Sequence, residues 1–167
     1  MKEKKLQKTT WKGEGFPDLR NVLPEQRLPA AEVVATGATV ADALQVLAYH
    51  LELIDCTERY LTTPKGEVRI ARDQLLHIVE KRQDARERYV KYALATIENP
   101  FEIWQIEYED DAGNETLRYA FIGVFEGKTQ MLVVFAEVNG KLLWNFMHGD
   151  SKALNKHRHG ECIYRRI

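Results

Sequence analysis

The sequence predicts an α+β domain in which helices come first and a four- to five-stranded antiparallel meander follows, packed on a helix. Three observations carry this expectation. Apolar residues recur at helical spacing in "TVADALQVLAYHLELI" and again up to Asn99-Pro100. Beyond Pro100 the period changes, and four strand-like runs are separated by "DDAGN", "EGK" and "NGK", short turns that join consecutive antiparallel strands. Finally, 167 residues with 44% hydrophobic content suffice for one sizeable core.

The elements follow in chain order. Residues 1–30 hold Pro17, Pro24 and Pro29 with Gly13 and Gly15, the composition of an extended arm, and the first twenty residues carry six basic and three acidic side chains. After Gly37, Thr39 can cap a helix whose apolar stripe is Val40, Leu44, Leu47 and Leu51. "RYLTTPKGEVRIA" reads as a hairpin turning at Pro64-Lys65-Gly66. Two helices are expected between about Arg72 and Glu98 with a break near Gln83, and Asn99-Pro100 stops the second. "TLRYAFIGVF" and "MLVVFAEV" are apolar on both faces in part, which makes them central strands. Residues 1–58 are read as an arm and helix with a docking or adaptor role, and residues 59–167 as the α+β domain.

Bulk properties narrow the function. A net charge of −1 excludes a grossly basic nucleic-acid coat but allows a local basic patch. Cys56 and Cys162 show neither CxxC nor zinc spacing and read as reduced thiols. No apolar run approaches the ~20 residues of a membrane span, and the basic start lacks the apolar stretch of a secretory signal. No P-loop, GxGxxG, G-x-S-x-G or HExxH is present. The acidic group Glu107, Glu109, Asp110 and Asp111 reads as a solvated turn and its flank.

The charge of the chain collects at its close. "HGDSKALNKHRHGECIYRR", His148 to Arg166, holds five Lys/Arg, two acidic residues and three of the five histidines. Two chemistries compete there. His148, Asp150, His157 and His159 could ligate a metal, but their spacing matches no zinc motif and the flanking cations oppose it. Lys156 and Arg158 around His157, with Gly160 admitting a tight backbone path, suit a phosphate site better than a metal, and a solvated basic turn fits the same residues. No metal and no cofactor is therefore expected. Upstream, a wheel of "DQLLHIVEKR" sets Leu75, Leu76, Ile78 and Val79 on one side and His77 opposite, with Lys81 beside it at i+4. A solvated histidine and a general acid–base group both fit that placement. Asn145 is a polar residue in the apolar strand "KLLWNFM" and needs a partner or ligand. Neighbouring Trp144 could stack a base.

The order of these motifs is similar to one family. A hairpin, "LLHIVEKR", a helix ending in "ENPFEIW", then "YAFIGVF", "MLVVFAEVNGKLLWNFM" and "ALNKHRHGECIY" resemble the phage-associated barnase–EndoU–colicin–RelE class of nuclease domains, second subtype. The resemblance covers about two thirds of the chain from Tyr60 on. It implies a barnase/RelE-like fold, metal-independent RNA cleavage, and use as a toxin module often attached to phage head proteins. By match, His77 is the helix histidine, and Lys156, Arg158 and Tyr164 are the C-terminal positions. Asn145 stands where a Thr or Ser is expected.

The resulting expectation is an endoribonuclease that uses the RNA 2′-OH as nucleophile. His77 serves as general base or acid, and Lys81, Lys156 and Arg158 hold phosphate. Asn145 or Tyr164 positions it. Arg82, Trp144, His157 and His159 line the substrate path, with His157 a reserve acid. The partners expected are RNA (tRNA among the candidates), a cognate immunity or inhibitor protein and phage head proteins, with no membrane. The site of action is the bacterial cytoplasm, reached from within or by delivery with a virion. The rival reading is a non-catalytic phage structural or interaction domain of the same fold.

Overall fold

A computed structural model describes residues 2–3, 9–109, 111–138 and 141–167. Asp110 and the Asn139-Gly140 turn lie outside them. In chain order come β1 (Lys2–Glu3), β2 (Thr9–Thr10), α1 (Val40–His50), β3 (Glu58–Thr63), β4 (Gly66–Ala71) and α2 (Leu76–Val79). Next come α3 (Val90–Glu98), β5 (Glu102–Glu109), β6 (Glu115–Gly123), β7 (Gln130–Val138), β8 (Lys141–Gly149), α4 (Ser151–Asn155) and β9 (His159–Arg165).

The architecture is α+β with an antiparallel main sheet, as the change of period predicts. β5 to β8 pair consecutively, β9 joins the free side of β5, and the order is β2-β9-β5-β6-β7-β8, with β1 also on β5. β6 and β7 are central. β3 and β4 form a separate hairpin, Thr63 facing Gly66 across Pro64-Lys65. Thr39 caps α1 by accepting a hydrogen bond from the Asp42 amide at 3.1 Å, which satisfies a donor that the first helical turn leaves free.

Between residues 72 and 98 the structure departs from two full helices. α2 is a single turn flanked by a 3-10 turn at Arg72–Gln74, and a second 3-10 turn at Arg86–Tyr89 leads into α3. The reason lies in β8, whose outer edge has no strand beside it among the described residues. Open-edge carbonyls and amides need partners. The Gln74 side chain donates to the Leu142 carbonyl, His77 meets the Trp144 carbonyl at 2.8 Å, and the Asn145 Oδ1 accepts from the Phe146 amide at 2.8 Å. Residues 72–79 thus serve as a cover for a sheet edge.

The sheet has two unlike faces. On the helix face Phe121, Val133, Phe135, Trp144 and Phe146 pack against Leu47, Ile78, Val79, Val90 and Ile97. Gly123 allows this close layer, since a Cβ there would meet Thr96 Oγ1 of α3 at 2.0 Å. On the opposite face Trp104, Ala120, Ile122 and Leu132 are covered at one end by Leu19 and Val22 of the arm and by Leu154 of α4. The arm is fixed there by β2 on β9 and by a completely buried Leu19. The other end of this face stays uncovered and forms the cleft described next.

Candidate nucleic-acid interface

The uncovered end of the sheet is a cleft of about 310 Å³. Its floor follows from strand alternation. Ile106 of β5, Ala120 of β6, Leu132 and Val134 of β7 and Met147 of β8 share one face, and the register places Arg118 beside Ile106 and Asn145 beside Val134. Arg86 reaches over the edge at β8 and donates to Asn145 Oδ1 at 2.9 Å. The connection from β8 to β9 carries α4 over the covered end, which brings His157 and His159 to the cleft wall. Asp150 starts that turn by accepting from the Ala153 amide at 2.7 Å.

The electrostatics are one-sided. Arg86, Arg118, His157 and His159 line the cleft together with Tyr108, and among the described residues no Asp or Glu does. The Nε atoms of Arg86 and Arg118 are buried and have no hydrogen-bond partner. Such groups are uncommon in folded proteins and call for a ligand or a function. The Arg118 guanidinium rests over the Tyr108 ring at 4.7 Å, which holds it over the sheet. Burial pushes the His157 pKa below its ordinary value, and His159, Lys156 and Arg118 push it further the same way. His157 is thus a neutral imidazole at neutral pH. Chemically, the cleft can accept an anion, neutralise charge that develops on it, and move a proton.

The expected site residues do not all meet here. His157, His159 and Asn145 do. Lys156 is exposed in a second groove that shares His159 with the cleft. Arg158, expected to hold phosphate, is completely buried. Its Nε and NH2 donate to Glu102 at 2.6 and 2.8 Å, and its NH1 donates to Pro17 O and Asn155 Oδ1 at 2.9 and 3.0 Å. Burial pushes the Glu102 carboxyl up, but Arg158, Trp104 and Arg165 outweigh this and hold it below the usual range. Arg158 is a core ion pair, and its phosphate role is corrected.

Three further placements differ from expectation. Arg82 is bound to buried Glu87 through NH1 and NH2, both at 2.8 Å, and to the Gly37 carbonyl at 2.6 Å, so it braces the loop ahead of α1 and lines no substrate path. Trp144 is 1% exposed on the helix face, stacked beside Phe135, and unavailable to a base. Tyr164 packs against the helix-side core. The wheel for residues 73–82 also fails in part. Leu76 is half exposed while His77 is half-buried at the edge of the sheet, and Lys81 falls beyond the end of α2 and is exposed. Neither His77 nor Lys81 lines the cleft.

Sequence reasoning missed Arg86, Arg118 and Tyr108. Arg118 had a signal, because it is a lone cation inside the apolar run "TLRYAFIGVF". Arg86 sits among charged residues in "DARERY" and carries none.

Comparison with known proteins supplies the family. A family model described as phage-Barnase-EndoU-ColicinE5/D-RelE like nuclease2 matches residues 48–165, more than half of the chain. The chain belongs to that family. The nuclease family segment contains every cleft residue named above, from Arg86 to His159, and leaves the arm and most of α1 outside it. No curated protein and no solved structure matches the chain. Among the described residues no group of three or more His, Cys, Asp and Glu is placed to hold a metal, and no helix is long and apolar enough to cross a membrane.

Proposed function

We propose that this chain is a metal-independent endoribonuclease and that the cleft on the uncovered sheet face is its active site. The observation that supports the reading is a cleft holding two arginines and two histidines, with no Asp or Glu in its wall among the described residues. The chemistry is transesterification. His157, neutral at neutral pH, takes the proton of an RNA 2′-OH. The freed oxygen attacks the adjacent phosphorus and forms a new P–O bond while the bond to the 5′ oxygen breaks. His159 gives a proton to that leaving oxygen. Arg86 and Arg118 stabilise the negative charge of the phosphorane, since fixed donors in a partly dry site need no reorganisation as charge develops. Asn145 positions Arg86, and the apolar floor of Ile106, Val134 and Met147 receives a base. The products are a 2′,3′-cyclic phosphate and a 5′-hydroxyl.

His77 is a positioning residue in this scheme. A carbonyl can only accept, so the Nε2 that meets Trp144 O carries the proton and the ring holds the edge strand that bears Asn145. The biological setting we propose is a phage- or prophage-encoded toxin acting in the bacterial cytoplasm, with an immunity or inhibitor protein as a natural partner. The test is incubation of purified protein with total bacterial RNA and with single-stranded DNA in EDTA, followed by analysis of the product ends. Cyclic phosphates from RNA and intact DNA are expected, because DNA lacks the attacking hydroxyl. DNA cleavage, or activity restored only by a divalent ion, overturns the mechanism. Absence of any cleavage leaves the non-catalytic reading.

A further inference from the structure

A second groove, about 500 Å³ in volume, adjoins the cleft, and His159 belongs to the walls of both. It is built from two parts of the chain. Lys152 and Lys156 come from α4 and its end, while Lys12 and Arg20 come from the arm, outside the segment that carries the family match. All four are exposed. The one carboxylate in the groove among the described residues, Asp18, is paired with Arg20, so the two together add no net charge. It accepts from Arg20 Nε and NH2 at 3.1 and 2.8 Å and from Asn155 Nδ2 at 3.0 Å. Arg158, at the base of the groove, is neutralised by Glu102. The accessible charge is therefore positive.

The arm is held firmly enough to present it. The Trp11 amide donates to Arg158 O at 3.1 Å, the Trp11 ring lies 5.2 Å from the Arg158 guanidinium, and Leu19 is buried with its amide on Asn155 Oδ1 at 3.2 Å. β2 pairs with β9 at Gly160 and His159. The backbone that carries Lys12 is thus registered against the strand whose start forms the cleft wall.

From this geometry we infer that the arm is part of the substrate-binding surface: Lys12, Lys152 and Lys156 hold the phosphates of RNA that continues out of the cleft past His159. The inference rests on the cleft being the RNA site. The groove reads backbone charge and carries no base specificity, because its cations meet phosphate oxygens, which are the same at every nucleotide. Nucleotides flanking the cleaved bond would therefore strengthen binding whatever their sequence.

The test is anisotropy titration of a fluorescent single-stranded 2′-O-methyl RNA 12-mer (length chosen for the assay at roughly the span of one ssRNA site) over a range of salt. Wild type, the double variant Lys12→Ala/Lys152→Ala and the control Lys91→Ala on α3 are compared, each after a thermal melt. Each lost phosphate contact lowers the slope of log K against log salt by about 0.7, so the double variant should lose about 1.4 and the control nothing. An unchanged slope in the double variant, or no binding by wild type, overturns the inference. Cleavage is scored separately with unmodified RNA. Cleavage with an unchanged binding slope removes the groove and keeps the nuclease. A flattened slope without cleavage keeps the groove and removes the nuclease.

Discussion

Arg158 and Glu102 lie side by side in the interior, both completely buried, joined by two hydrogen bonds of 2.6 and 2.8 Å. Removing Glu102 leaves Arg158 buried with no counter-charge, and removing Arg158 leaves buried Glu102 with only the partly exposed Arg165, at 3.1 Å, as an ion partner. Arg158→Ala is therefore expected to destabilise the fold by about 3–5 kcal/mol. Urea unfolding measures it. Replacing both residues with apolar side chains of similar volume should recover much of the loss, since such swaps are often neutral. A variant that melts like wild type and only binds RNA less well would return Arg158 to the phosphate site.

The Arg82–Glu87 pair makes stability depend on acid. Burial pushes the Glu87 carboxyl up, but hydrogen bonds from Arg82, Thr36 and the Gly37 amide outweigh it and hold the pKa at about 2, against an ordinary 4.5. A depressed carboxylate contributes stability that is fully present above the ordinary value and is lost as pH falls toward the folded one. The shift corresponds to roughly 3 kcal/mol. Wild type and Glu87→Gln should differ most at pH 5 and above, and the gap should narrow between pH 4.5 and about 2. Urea midpoints across that window give the answer, and a constant gap contradicts the assignment.

His157→Ala is expected to slow single-turnover RNA cleavage by about 10²–10⁴-fold, the range for loss of one acid–base group. Because burial and neighbouring cations depress its pKa, the acid limb of the wild-type pH–rate profile, where His157 gains its proton, should lie below the ordinary histidine value of 6.5. His157→Ala should flatten that acid limb. An unchanged rate removes His157 from the chemistry.

Arg118→Ala should cost roughly 10²–10³-fold in the same assay, as for removal of one preorganised charge-stabilising donor. Arg118 lies on the uncovered face over Tyr108, so the melt should move little. Equal cleavage by wild type and variant would show that the cleft does not hold the reacting phosphate.

His77→Ala separates edge support from catalysis. Loss of its bond to Trp144 O should lower stability by about 0.5–1.5 kcal/mol, and cleavage should fall only modestly. A normal melt with cleavage abolished would make His77 the proton-transfer group and leave His157 as a binding residue.

The amino-acid sequence by itself determined the elements whose causes are local. Thr39 caps α1 because its hydroxyl reaches the Asp42 amide three residues on, and the short turns between β5 and β7 force consecutive antiparallel pairing because nothing else fits so few residues. β6 and β7 are central because their own residues are apolar on both faces. Only the tertiary structure decided where the charges go. Lys156, His157 and Arg158 are consecutive, yet they end respectively in solvent, at the cleft wall and in the core. That sorting depends on a buried carboxylate 56 residues away in sequence. It also depends on Gly160, whose φ of +100° and missing Cβ let the backbone pass Gln105 O, where a Cβ would stand at 2.4 Å. Arg86, from a 3-10 turn, and Arg118, from β6, likewise line one cleft although no sequence period relates them. Periodicity reports which way a side chain points from its own strand or helix; which partner waits there is set by the packing of distant segments.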